Sequence, residues 1–154
     1  MTSGPGALIG LLGAALVVLS GWLAWLSGPR TPRQSGYDIP ARFLLDSHAS
    51  AGGVNLGVVI LVTGVLAAIG SVLAAGRFPA LALGIVAIVV AGLFAYQLHL
   101  SVDDLNRTTH LGLQVRDVIG AGPLAAAAGG VMVVIGALLP GRKSRANGPG
   151  AAST

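Results

Sequence analysis

The chain alternates long apolar stretches with short polar ones. Four stretches reach the roughly 20 apolar residues that cross a bilayer as a helix: about Gly6 to Ser27, Val54 to Ala75, Pro79 to Leu98 and Ile119 to Leu139. A lone strand in hydrocarbon would leave its backbone groups unpaired, so each stretch is expected as helix. The punctuation agrees. Pro79 and Pro123 fall in first turns, where a missing N–H costs nothing, while Gly28-Pro29 and Pro140-Gly141 stand where the first and fourth stretches would stop. The pattern predicts an all-α, polytopic membrane protein: a bundle of four transmembrane helices over residues 1–141, and a basic, disordered tail over 142–154. The first stretch lacks a basic leader and is longer than the apolar core of a signal peptide, so a retained anchor is expected.

The connections are unequal. Ala75-Gly76-Arg77-Phe78 is a tight turn that makes the second and third spans an antiparallel hairpin, whereas residues 28–53 and 99–118 form longer loops. Four spans put both long loops on one side. In the first of them, YDIPARFLLDSHAS, Asp38 is placed to cap a turn that has Pro40 near its start. Phe43 and Leu44 then belong to a short helix that dips into lipid or into the bundle. That helix serves either as a docking surface or as a lid over the bundle end. In the second, HLSVDDLNRTTH, Ser101 reads as an N-cap with an acid in the first turn. A short amphipathic helix follows, with Val102, Leu105 and Thr109 on one face and Asp103, Asp104, Asn106, Arg107 and His110 turned to water or to the other loop.

Composition strengthens the membrane reading. Hydrophobic residues make up 54% of the 154 and charged residues 9%, against about 25% charged in an ordinary soluble domain. Without cysteine there are no disulfides, CxxC redox motifs or thiolate metal sites. The formal charge of +4 is spread over loops and tail, a distribution that excludes a nucleic-acid face. Arg142, Lys143 and Arg145 follow the fourth span directly and Arg77 sits in the short turn, with no acid beside them; all five aspartates lie in the long loops. The long loops hold Arg30, Arg33, Arg42, Arg107 and Arg116, so the raw count, four against five, decides nothing; by density of basic residues near span ends, both termini are expected in the cytoplasm, and the long loops outside a bacterial inner (plasma) membrane crossed several times.

Small residues four apart let helices approach closely in lipid, where packing rather than the hydrophobic effect drives association. Such tracks occur on all four spans: Gly6 and Gly10; Gly53, Gly57, Gly64 and Ala68; Ala80, Gly84, Ala87 and Ala91; and Gly122, Ala126 and Gly130, with Ala125 and Gly129 on an adjacent stripe. Trp22, Trp25 and Tyr96 stand near span ends and suit an interfacial aromatic belt.

Candidate chemistry is sparse. The first, second and fourth spans carry no ionisable residue, and the chain has no glutamate, which argues against proton relays, ion paths and pumps. No histidine lies mid-span to ligate haem across a bundle, and no cofactor is expected. The one polar group that could act together is Asp46, His48, His99, Asp103, Asp104 and His110 at the loop end; His99 and Asp103, four apart, could share a face, but two ligands make no metal site.

The order of a first span, then Pro40-Ala-Arg-Phe-Leu-Leu-Asp, a Gly57–Gly70 glycine-rich span and a Gly120-Ala-Gly-Pro-Leu start to the last span resembles small four-span membrane proteins common in actinobacteria. The topology is also similar to that of claudins, without the Trp and Cys pattern of their first loop. Neither resemblance implies a functional residue. The expected role is non-catalytic: an accessory or scaffold subunit of a cell-envelope complex, held by lipid and by a membrane-protein partner or another copy of itself. The alternative is a lipid or small-molecule handling or transport protein that uses the loop-end polar group.

Overall fold

The computed structural model describes residues 4–28, 31–46, 53–73, 77–110 and 112–139. The tail, the Pro140-Gly141 stop, Pro29 and the Ala75-Gly76 part of the expected tight turn lie outside these residues. Among them the chain is mostly helical, with four α-helices: α1 Pro5–Ser20, α2 Leu56–Val72, α3 Arg77–Thr109 and α4 Ala121–Leu138. Two of them, α3 and α4, are long and apolar enough to cross a membrane; α1 and α2 are shorter apolar helices of 16 and 17 residues. Each helix packs against two neighbours in the order α1–α2–α3–α4 and back to α1, with few contacts across the diagonals. The end that bears the two long connections is called the loop end here, and the other the turn end.

Two expected boundaries are corrected. The first apolar stretch does not stay helical to Ser27: α1 stops at Ser20, with Gly21 as its C-cap. The chain then turns back as an antiparallel hairpin, β1 Ala24–Gly28 with β2 Thr31–Ser35. Its register is irregular, pairing Ala24 with Ser35, Leu26 with Gln34 and Gly28 with Thr31. β1 also bridges through Leu26 to Ile119, with the Ser27 N–H donating to the Val118 carbonyl at 2.8 Å and the Gly120 N–H to the Trp25 carbonyl at 2.9 Å. The backbone groups that a continued helix would have paired internally are thus paired across strands.

The second correction concerns Ser101, which caps nothing. It sits inside α3, its hydroxyl donating to the Gln97 carbonyl at 2.9 Å, and the helix runs unbroken to Thr109. Nothing in HLSVDDLN breaks a helix; polarity changes there while conformation does not. The helix ends at His110, whose φ of 55° places it in the left-handed region, with its N–H on the Asn106 carbonyl at 2.9 Å.

The α2 N-terminus receives no side-chain cap. The first loop supplies carbonyls instead: Ile39 accepts from the Leu56 N–H at 2.8 Å and Gly36 from the Gly57 N–H at 2.7 Å. Two otherwise orphaned donors are satisfied, and the loop is fastened over the helix end. Asp38 turns the other way from expectation. Its carboxylate accepts from the backbone N–H and the hydroxyl of Ser35, both at 2.8 Å, and Pro40 precedes the 3₁₀ turn Ala41–Leu44.

Glycine is used where backbones touch. A Cβ on Gly13 would lie 2.6 Å from the Gly129 carbonyl oxygen, and one on Gly129 2.6 Å from the Gly13 carbonyl oxygen, so α1 and α4 cross in direct backbone contact. Gly6 faces Gly136 in the same way at 2.7 Å. On the other side of α4, Gly130 faces the Gly84 carbonyl of α3 at 2.7 Å. Adjacent residues of α4, Gly129 and Gly130, therefore seat two different helices. Gly64 receives Val18 of α1, and Gly10 receives the Ser71 hydroxyl of α2.

The outward faces are aliphatic. Leu8, Leu12 and Leu19 on α1, Val58, Val62, Val65 and Ile69 on α2, Ile85, Val86, Val89 and Leu93 on α3, and Leu124, Val131, Ile135 and Leu138 on α4 are all exposed. The polar Ser20 and Thr63 are buried and donate within their own helices, to the Val17 and Val59 carbonyls.

Candidate functional site

The loop end is where side chains other than aliphatic ones gather. Trp25 organises it. It is expected in an interfacial belt, yet it is 0% exposed. The hairpin aims its indole into the helices, where Nε1–H donates to the Ser20 carbonyl at 2.7 Å. Its ring lies over Gly122, at which any Cβ would collide with the indole. Phe94 of α3 meets Trp25 edge-on, with centroids 4.9 Å apart and planes at 89°, and Phe43 adds a third ring 5.5 Å from Phe94. Edge-to-face pairs of this kind are worth about 0.5–1.5 kcal/mol beyond the area they bury. Phe43 and Leu44 thus pack on the core, the inward of the two expected options, whereas Leu45 is 83% exposed. Gln97 fastens the turn by donating to the Leu44 carbonyl at 3.3 Å.

A second aromatic pair sits at the start of α2. Tyr37 lies on Gly57, where a Cβ would fall 2.7 Å from the ring, and its ring stands 5.2 Å from that of Trp22. The Tyr37 hydroxyl is enclosed without a hydrogen-bond partner among the described residues. Trp22 and Tyr96 are exposed, 57% and 58%, at positions that suit a belt. Of the nine glycines expected to seat helices, Gly6, Gly10, Gly64, Gly84, Gly129 and Gly130 face other helices, Gly57 and Gly122 admit aromatic rings from the loop and the hairpin, and Gly53 meets no helix, with only the Arg42 side chain near an added Cβ.

The polar candidates of α3 are strung along the helix. His99 Nε2 lies 3.6 Å from Asp103 Oδ2, one helical turn on, with the two side chains 59% and 48% exposed. Water and salt screen such a pair, which leaves it worth little. Asp104 is exposed on the same helix, and His110 lies past its end, eleven positions and about 16 Å from His99 along the axis. Asp46 follows the 3₁₀ turn, its N–H on the Arg42 carbonyl at 3.0 Å. His48 lies outside the described residues. Among those residues no three His, Cys, Asp or Glu side chains are grouped to hold a metal.

Two fastenings in this region escape a reading of the sequence. Asn106 clamps the second loop from both sides: its amide donates to the Leu113 carbonyl at 2.7 Å, and its Oδ1 accepts from the Leu113 N–H at 2.8 Å. Asp38, with the Ser35 hydroxyl and then the Ser35 N–H donating to its carboxylate, is held below the ordinary carboxylate range.

Comparison of the chain with protein-family models, with curated proteins and with solved structures returns no match.

Proposed function

We propose that the protein is an integral membrane protein whose four helices all span, and whose role is structural: an accessory or scaffold subunit of a cell-envelope complex. The observation that carries the reading is the partition of side chains. Large aliphatic residues occupy the outward faces of all four helices, while glycines and hydrogen-bonded Ser20 and Thr63 occupy the contacts between them. Water-soluble helices carry charge on their outward faces. Here the described residues of α1, α2 and α4 include no Asp, Glu, Lys or Arg, and lipid is the solvent that such faces fit.

The orientation proposed is the one that basic-residue density supports, with both termini cytoplasmic and the loop end outside. The scaffold role is favoured by what the helix contacts are made of. Backbone-on-backbone glycine crossings leave no space for a ligand between α1 and α4, and the His99–Asp103 pair lies open to water on the surface of α3.

Two measurements test the proposal. Membranes washed with alkaline carbonate are expected to retain the protein; release into the aqueous fraction would refute the membrane reading. Tagged protein drawn from its native membrane in mild detergent is expected to bring a stoichiometric partner. Recovery as a lone monomer would refute the scaffold role.

A further inference from the structure

His99 and Asp103 stand on the outward face of α3. Asp103 is nine positions from Phe94, two and a half turns, so it lies on the side opposite that core residue. Ile85, nine positions before Phe94, shares that side, and with Val89 and Tyr96 it forms an exposed stripe that leads up to the pair. No described element covers the two side chains, which are 59% and 48% exposed.

Their separation fits a chelate better than a hydrogen bond. Nε2 of His99 and Oδ2 of Asp103 are 3.6 Å apart, beyond the roughly 2.7–3.2 Å of an N–H···O bond. Two donors held at about 2.0–2.2 Å by a tetrahedral cation stand about 3.4 Å from each other. The pair is set near that bite, and an imidazole nitrogen and a carboxylate oxygen are both zinc ligands. It is half of a coordination sphere: among the described residues no third His, Cys, Asp or Glu joins it. Asp104 lies about 100° further round the helix and does not share the face.

Insertion into one membrane gives every copy the same orientation. Two copies related by a two-fold axis along the bilayer normal then bring their α3 helices together in parallel, both His99 at one level and both Asp103 about 6 Å further along. Without an ion, that meeting sets one Asp103 carboxylate against the other. A divalent cation on the axis neutralises the two negative charges, and the two nitrogens and two oxygens complete its four positions.

We propose that the outward face of α3 is the seam of a homodimer closed by a divalent cation of the zinc class, shared between His99 and Asp103 of each copy. This rests on the membrane reading above and names the partner, a second copy of the chain. One chain supplies two ligands, so the ion is held only when the chains assemble.

The test uses the full chain, free of any histidine tag, in mild detergent. Zinc chloride is titrated in and EDTA then added, while light scattering after size exclusion reports the protein mass and elemental analysis the bound zinc. The expected result is a shift from one chain to two with one zinc per two chains, reversed by EDTA. His99→Ala and Asp103→Asn change exposed residues and are expected to keep the parent's circular dichroism, yet to raise the zinc concentration needed for dimerisation by more than about tenfold. Asp104→Asn is expected to behave as the parent. Zinc bound at one per chain without a change of mass, a mass indifferent to zinc, or a dimer that both ligand variants form at the parent's zinc concentration overturns the proposal. The same protein is floated with phosphatidylcholine vesicles. Failure to float overturns the membrane reading and the shared orientation with it, whereas flotation without a zinc-dependent dimer overturns the metal seam alone.

Discussion

Replacing Gly129 by alanine adds one methyl group at the point where α1 and α4 are closest. The new Cβ would lie 2.6 Å from the Gly13 carbonyl oxygen and 2.8 Å from the Val17 backbone nitrogen, both parts of a helix that cannot rotate away as a side chain can. Restoring ordinary contact at 3.4 Å requires the helices to separate by about 0.8 Å. A gap of about 0.5–1 Å forfeits a quarter to a half of each atom-pair attraction of about 0.1–0.2 kcal/mol. Over on the order of thirty atom pairs along the Gly6–Gly10–Gly13–Val17 stripe, the loss is about 1–3 kcal/mol, the same range as measured overpacking penalties. Gly92 provides the control. It faces outward on α3 with nothing within 4 Å of an added Cβ, so Gly92→Ala keeps the helix-propensity gain of roughly 0.5–1 kcal/mol. Both variants and the parent would be unfolded in mixed micelles by titration with sodium dodecyl sulfate, followed by far-ultraviolet circular dichroism. The propensity gain is common to both, so Gly129→Ala is expected about 1–3 kcal/mol below Gly92→Ala. Equal stability of the two would refute the claim that these helices meet backbone to backbone.

Trp25→Ala empties a fully enclosed site and strips the Ser20 carbonyl of its donor; a loss of about 3–5 kcal/mol is expected in the same titration, against less than about 1 kcal/mol for Trp22→Ala. Asn106→Ala removes both hydrogen bonds to Leu113; a cost of about 1–2 kcal/mol is expected, together with faster hydrogen exchange at the Leu113 and Gln114 amides by mass spectrometry. Asp38 has its folded carboxyl held below the ordinary range by Ser35, so its contribution is present above the ordinary carboxylate pKa and is lost as pH falls through the lowered value. Thermal midpoints measured from neutral pH downward should therefore fall less steeply in Asp38→Asn than in the parent, and parallel curves would contradict the assignment.

The helices were legible because apolar length is a strong signal, and their centres fall where the runs of Val, Leu, Ala and Gly lie. The end of α1 was not. Gly21 to Leu26 is as apolar as the helix before it, and hydropathy does not separate a helix from a strand buried over other helices. What decides the matter is distant in sequence: Gly120 and Gly122 leave room for Trp25 and the hairpin, and no local pattern reports that. The α3 boundary failed for the opposite reason. Polarity rises sharply after Leu98, but it marks a change of surroundings and not of conformation. The glycine tracks on α1, α3 and α4 were visible as spacing, but Gly13 and Gly136, which sit in the tightest crossings, fall outside the tracks named. The spread of the polar candidates along α3 followed from that missed continuity, since a separate short helix could have folded back toward His99 and an unbroken one cannot.

One consequence of the unbroken α3 is mechanical. Thirty-three residues make a rod about 50 Å long, and its single proline, Pro79, lies in the first turn, where it introduces no kink. A rocking of five degrees about the Phe78 end swings the Thr109 tip by about 4 Å, carrying with it the second loop through Asn106 and the aromatic rings through Phe94. About two thirds of the helix lies among the other three helices and the last third among the loops, so a small rotation at the Phe78 end arrives as a larger displacement at the far tip.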